Sequence, residues 1–170
     1  MGAVRPGLLP TACLACLLVA GRASADGSTI RTFGDHTSYL FEIEPHGILG
    51  FGAPFDDTAA EVGLGVRGTL HLANGFIPSI NDSVGVGFGI DFTPGGDGRV
   101  LIPIVLQWNF WLSSRFSVFG EPGFAVTSGG AQTFDPFVFY AGGRFLFTPR
   151  IGLTVRVGYP DVSVGVSFLL

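Results

Sequence analysis

The sequence predicts an all-β chain, an eight-stranded antiparallel up-and-down transmembrane β-barrel behind a cleaved N-terminal leader. Three observations carry that prediction. Charged residues make up 13% of the chain, lysine is absent and mean hydropathy is +0.51, whereas a water-facing surface normally carries about 25–35% charged residues. Outside the leader, no run approaches the roughly 18 consecutive apolar residues that a spanning helix needs. The apolar residues instead alternate with small or polar ones over strand-length segments, and a closed barrel of strands crosses a bilayer with every backbone group paired.

The leader is residues 1–25. It has Arg5 in a basic start, an apolar run from Leu8 to Ala20, and Ala23-Ser24-Ala25 as a small-residue cleavage site before Asp26, the pattern of a Sec-type signal peptide. Cys13 and Cys16 lie inside the apolar run, so the mature chain is expected to have no disulfide and no cysteine ligand. Arg5 and Arg22 leave with the leader while all 13 Asp and Glu residues stay; this acidic balance argues against a nucleic-acid partner. Residues 26–36 read as a polar lead and 37–170 as the barrel domain.

The first strand is expected at about Ser38 to Gly52. The second, Glu61 to Leu72, sets Val62, Leu64, Val66, Leu70 and Leu72 against Gly63, Gly65, Arg67, Thr69 and His71. The third, Ser83 to Phe92, sets Val84, Val86, Phe88, Ile90 and Phe92 against Ser83, Gly85, Gly87, Gly89 and Asp91. Noisier alternation marks the fourth, fifth and sixth, at Val100 to Leu112, Phe116 to Val126 and Pro136 to Phe147. The seventh, Ile151 to Tyr159, opposes Leu153, Val155 and Val157 to Thr154 and Arg156, and the eighth runs from Val162 to Leu170. Short turns are expected at Ala73 to Asp82, Ser113 to Arg115 and Thr148 to Arg150, on the side of the termini. Loops on the other side fall at Ala53 to Ala60, Thr93 to Gly98, Thr127 to Asp135 and Pro160 to Asp161. Pro45, Pro103 and Pro122 each remove a ladder donor, and bulges or bends are expected there.

Aromatic residues on the apolar register should gather at the two membrane interfaces. Trp108, Phe110, Phe116, Phe145, Phe147 and Phe168 fall near the terminal side; Phe51, Phe92, Phe124, Phe137, Phe139 and Tyr159 fall near the other. With these runs and belts, the mature chain resembles the small eight-stranded bacterial outer-membrane barrels, the group that includes the membrane domain of outer membrane protein A. The terminal strand, in which Val162, Val164, Val166, Phe168 and Leu170 alternate, is similar to the one the barrel assembly machinery recognises in that group. The resemblance implies a Sec-exported outer-membrane protein with periplasmic termini, surrounded by outer-membrane lipids and lipopolysaccharide, and favours a monomer.

The charged residues fall on the register opposite the apolar one. An Arg facing lipid near the bilayer midplane costs about 2–4 kcal/mol, which directs Glu42, Glu44, Arg67, Asp91, Glu121, Arg144 and Arg156 into the lumen, along with His46 and His71. A network of Arg–carboxylate pairs is expected to fill it, because eight strands enclose about the width of their own side chains. Gly63-x-Gly65-x-x-Gly68 copies a dinucleotide fingerprint but lies inside an alternating strand with no helix to follow. Three dispersed histidines make neither a metal site nor a base beside a nucleophile, so no catalytic residue, metal or cofactor is expected. The leading expectation is a non-enzymatic barrel with a structural, envelope-stabilising or surface-contact role. A narrow channel or a carrier for a small apolar molecule is the alternative, and a lipid-modifying enzyme ranks below both.

Overall fold

A computed structural model describes residues 35–50, 61–94, 98–128 and 134–170. The expected signal peptide, most of the polar lead, Phe51 and most of the loops on the non-terminal side lie outside the described residues. Eight strands follow one another and close on themselves: β1 Phe41–Gly50, β2 Glu61–Asn74, β3 Asp82–Thr93, β4 Arg99–Trp111, β5 Phe116–Ser128, β6 Phe134–Thr148, β7 Ile151–Tyr159 and β8 Asp161–Leu169. Each pairs antiparallel with its chain neighbours, and β8 returns to β1.

Period-two alternation decides which side each residue takes. On β2 and β7 the apolar register points out, with Leu64 72% and Val155 38% exposed, while Arg67, Arg144 and Arg156 are at most 2% exposed. The barrel is therefore apolar outside and polar inside. A continuous apolar exterior far exceeds the few hundred Å² that a water-soluble monomer tolerates, and it matches a hydrocarbon surround.

The strand limits differ from expectation at several ends. β6 begins at Phe134 rather than Pro136, placing Asp135 in a strand instead of a loop, and β8 takes in Asp161. Ala73 and Asn74 continue β2, whereas Ser38 to Leu40 precede β1 and Leu112 follows β4. Two turns are built as read: the Ser113 hydroxyl accepts from the Phe116 amide at 3.0 Å and the Thr148 hydroxyl from the Ile151 amide at 3.0 Å, side chains standing in for backbone turn acceptors. Between β2 and β3, Gly75 takes φ 65°, a left-handed conformation that suits glycine.

Bulges do not form at Pro45 or Pro103. Register shifts fall instead at His71/Ala73, Gly123/Ala125 and Leu146/Thr148, the second of them next to Pro122. Each proline stays paired on one side, Pro45 with Val66, Pro103 with Ala125 and Pro122 with Phe139. On the other side the ladder skips without changing register, between β1 and β8, β3 and β4, and β4 and β5 respectively. A strand residue sends its one N–H toward one neighbour, so its loss interrupts one ladder and leaves the other whole.

Candidate functional site in the lumen

The inward register brings all seven expected charges into one buried column. Arg156 is at its centre, donating from Nε to Glu121 Oε2 at 2.9 Å, from Nη2 to Glu121 Oε1 at 3.3 Å, and from Nη1 to Glu44. Arg67 reaches the same Glu121 from Nη1 at 3.1 Å and Asp91 from Nη2 at 3.3 Å. His46 Nε2 lies 2.9 Å from the other Asp91 oxygen, and its Nδ1 lies 3.2 Å from the Glu44 carbonyl. Nearer the termini, Arg144 Nη2 donates to Glu42 at 2.6 Å. Burying unpaired charge is costly, and pairing with additional hydrogen bonds offsets that cost.

Residues that sequence reasoning did not single out complete the column. Gln107 donates to Glu121 Oε1 at 2.7 Å and takes a bond from Asn109 at 2.8 Å; Ser167 donates to Glu44 at 3.2 Å. Phe119 lies under two guanidiniums, its ring centroid 5.1 Å from Arg156 and 5.6 Å from Arg144, and Tyr140 lies 4.9 Å from Arg67. Their inward parity on β4, β5, β6 and β8 was the available signal, masked by the lack of charge.

Above and below the ionic column the filling changes character. Toward the non-terminal end Leu101, Val105, Ala125, Val138 and Tyr140 form an apolar cluster. At the terminal end Tyr39, Trp111, Leu146 and Leu169 form another. Residues His36 to Leu40 lie across that end: Leu40 N donates to Leu170 O at 2.9 Å, and His71 N donates to Leu40 O at 2.9 Å. Tyr39 is buried here, and burial raises its phenol above the ordinary value. Buried side chains thus occupy the described lumen in three stacked groups, apolar, ionic and apolar.

The described aromatic residues on the outward register fall toward the two ends of the barrel. Phe145 and Phe147 pack edge to face outside the terminal end, Trp108 packs against Phe110 with the rings tilted by 34°, and Phe116 and Phe168 share that side. Trp108 also donates from its indole to Asp82 at 2.8 Å. Phe92, Phe124, Phe137, Phe139 and Tyr159 are exposed at the other side. Phe76, against Trp108, and Phe134, against Phe124, extend the two belts beyond the expected members.

No protein-family model and no curated protein matches this chain. Solved structures do. A de novo designed transmembrane β-barrel is 15% identical, covering 79% of this chain and 99% of its own, with a TM-score of 0.51. The designed barrel TMB2.3, solved by solution NMR, is 14% identical over 78% of this chain and 94% of its own, with a TM-score of 0.54. The Yersinia pestis outer membrane protein Ail, in a phospholipid bilayer nanodisc, is 10% identical over 76% and 99%, with a TM-score of 0.44. The two designed barrels speak for the fold: a closed, eight-stranded transmembrane β-barrel of the small kind.

Proposed function

We propose that this chain is a non-enzymatic bacterial outer-membrane barrel with a structural, envelope-stabilising or surface-contact role. The observation that carries the reading is the buried column of Glu42, Glu44, Arg67, Asp91, Glu121, Arg144 and Arg156, which occupies the lumen instead of lining a passage. His46 and Asp91 are bonded to each other inside the barrel, away from lipid, which favours a non-catalytic role for them. On this reading the chain is Sec-exported and delivered through its C-terminal strand by the barrel assembly machinery, its termini in the periplasm. It works as a monomer among lipopolysaccharide and other outer-membrane lipids.

Two measurements test this. Membrane fractionation should recover the chain in the outer membrane, migrating differently on gels before and after heating; recovery as a soluble periplasmic protein would overturn the membrane role. In planar bilayers the purified barrel should show no unitary conductance. Reproducible steps abolished by substituting Arg67 or Glu121 would make it a narrow channel instead.

A further inference from the structure

The turn between β2 and β3, residues 75–81, differs in character from the other two turns of the terminal rim. It reads Gly75-Phe76-Ile77-Pro78-Ser79-Ile80-Asn81, without a charge, whereas the β4–β5 and β6–β7 turns carry the exposed Arg115 and Arg150. Phe76 is 69% exposed and stands edge-on to Trp108, centroids 5.8 Å apart, so it continues the belt that Trp108 and Phe110 form on the outward register. Asp82, where β3 begins, lies against this belt and is nevertheless 1% exposed: its carboxylate accepts from the Trp108 indole at 2.8 Å and from the Ile77 amide at 3.3 Å. A carboxylate at a watery rim can stay hydrated, whereas one at apolar depth has to be covered and bonded. The backbone of the turn is closed in the same way. Gly75 N donates to Asp82 O at 2.8 Å, Ile80 N donates to Ile77 O at 3.0 Å, and Pro78 has no N–H to satisfy, which lowers the cost of leaving water. Its inner flank is pinned to the barrel: Trp111 N donates to Asn81 O at 2.8 Å, Asn81 Nδ2 donates to the Asp35 carbonyl at 3.1 Å, and His36 stacks on Trp111 with centroids 4.9 Å apart.

We propose that residues 76–80 form a membrane-seated lip, lying in the headgroup–acyl boundary of the leaflet next to the terminal rim, with bilayer lipid as the partner of its apolar tip. Continuity selects lipid over a protein partner: Phe76 is packed on a side chain that already faces hydrocarbon, and the tip it shares with Ile77, Pro78 and Ile80 carries no charge to recognise a soluble surface. The proposal rests on the transmembrane reading of the barrel. In the closed strand order the β6–β7 turn lies half-way round from the β2–β3 turn, so the lip and Arg150 occupy opposite sides of the rim. Aromatic groups favour the interface, while Arg is costly in hydrocarbon and stays with phosphates and water. The rim is therefore seated unevenly, deeper at β2–β3 than at β6–β7.

Spin labelling tests this on the full chain with Cys13 and Cys16 changed to serine, which leaves each introduced cysteine as the only thiol, folded into phosphatidylcholine vesicles. A nitroxide is attached in turn to Ser79→Cys in the lip, Ser114→Cys in the β4–β5 turn and Val155→Cys on the outward register of β7; all three positions are exposed on the barrel. Relaxation by oxygen, which concentrates in lipid, is compared with relaxation by a nickel chelate confined to water. Oxygen should dominate at positions 79 and 155, and nickel at position 114. Adding Phe76→Glu should turn position 79 toward nickel and leave position 155 unchanged. Nickel dominance at position 79 with position 155 still in lipid would overturn the lip and leave the tip to water or a soluble protein. A lipid signal at position 79 that survives Phe76→Glu would also overturn it, since the label itself would then be the source. Nickel dominance at position 155 would instead overturn the transmembrane reading on which the lip rests.

Discussion

Glu42 and Arg144 offer the sharpest test of how the lumen is stabilised. The pair rests on one bond of 2.6 Å between groups at most 1% exposed, and it leaves Glu42 Oε1 and Arg144 Nε without hydrogen-bond partners among the described residues. Arg156, by contrast, is bonded to two carboxylates. Removing one member of a buried pair strands the other charge, a loss of about 3–5 kcal/mol, or roughly two to three and a half orders of magnitude in the folding equilibrium. Glu42→Gln and Arg144→Met should each fall in that range. The double variant Glu42→Leu/Arg144→Met removes both charges and both orphaned atoms. Well-packed apolar replacements of buried pairs are often neutral or stabilising by about 1–4 kcal/mol, so the double variant should unfold near the wild type. Denaturant unfolding in lipid vesicles, followed by the fluorescence of Trp108 and Trp111, the chain's two tryptophans, measures all four corners of the cycle. Single variants within about 1 kcal/mol of the parent, or a double variant that loses the sum of the two, would refute the reasoning.

Three further outcomes follow from the packing. A Cβ built at Gly142 collides with the Phe119 ring, so Gly142→Val should destabilise by about 1–3 kcal/mol through overpacking, seen as a lower unfolding midpoint. Val155→Arg puts a charge on the outward register in the middle of β7 and should cost about 2–4 kcal/mol in vesicles, a penalty that should shrink when the same substitution is made at the interfacial Phe147. Asp82 accepts from the Ile77 amide and the Trp108 indole; Asp82→Ala should speed amide exchange through the β2–β3 turn while costing about 1 kcal/mol overall.

The fold was legible because lipid enforces a strict division of faces. Alternation in β2, β3 and β7 is nearly free of exceptions, and no soluble surface would be built of Leu64, Val66, Phe88 and Ile90. The charged lumen was legible for the same reason, since hydrocarbon excludes Arg67, Arg144 and Arg156 and leaves them one direction to point. What stayed hidden depends on pairing between strands rather than on any one strand. Phe134 joins β6 because it meets Val126 across a bulge at Gly123/Ala125, and nothing local to residues 134–136 reveals that partner. Pro45 and Pro103 leave no bulge because a strand has two ladders, and each can lose a bond alone while the other keeps the register. The cover at the terminal end was hidden in the same way: His36 looked like part of a polar lead, and its contact with Trp111 exists only after closure. A large aromatic on the inward parity of β4, needing something to lie on it, was the signal.

The partners in the ionic column have a consequence for how the molecule comes to exist. Arg144 on β6 meets Glu42 on β1, Arg156 on β7 meets Glu44 on β1 and Glu121 on β5, and Arg67 on β2 reaches Glu121 on β5. These bonds join strands that are not neighbours in the sheet, so they cross the lumen like spokes and resist flattening of the cross-section. An open, partly zipped sheet cannot make them. Were it to enter hydrocarbon in that state, Arg144 and Arg156 would be without these cross-lumen partners, and Arg67 would keep only Asp91 of the neighbouring β3. Rim closure therefore completes the charge neutralisation of the lumen, and the penalty for half-built intermediates is written into the strands themselves.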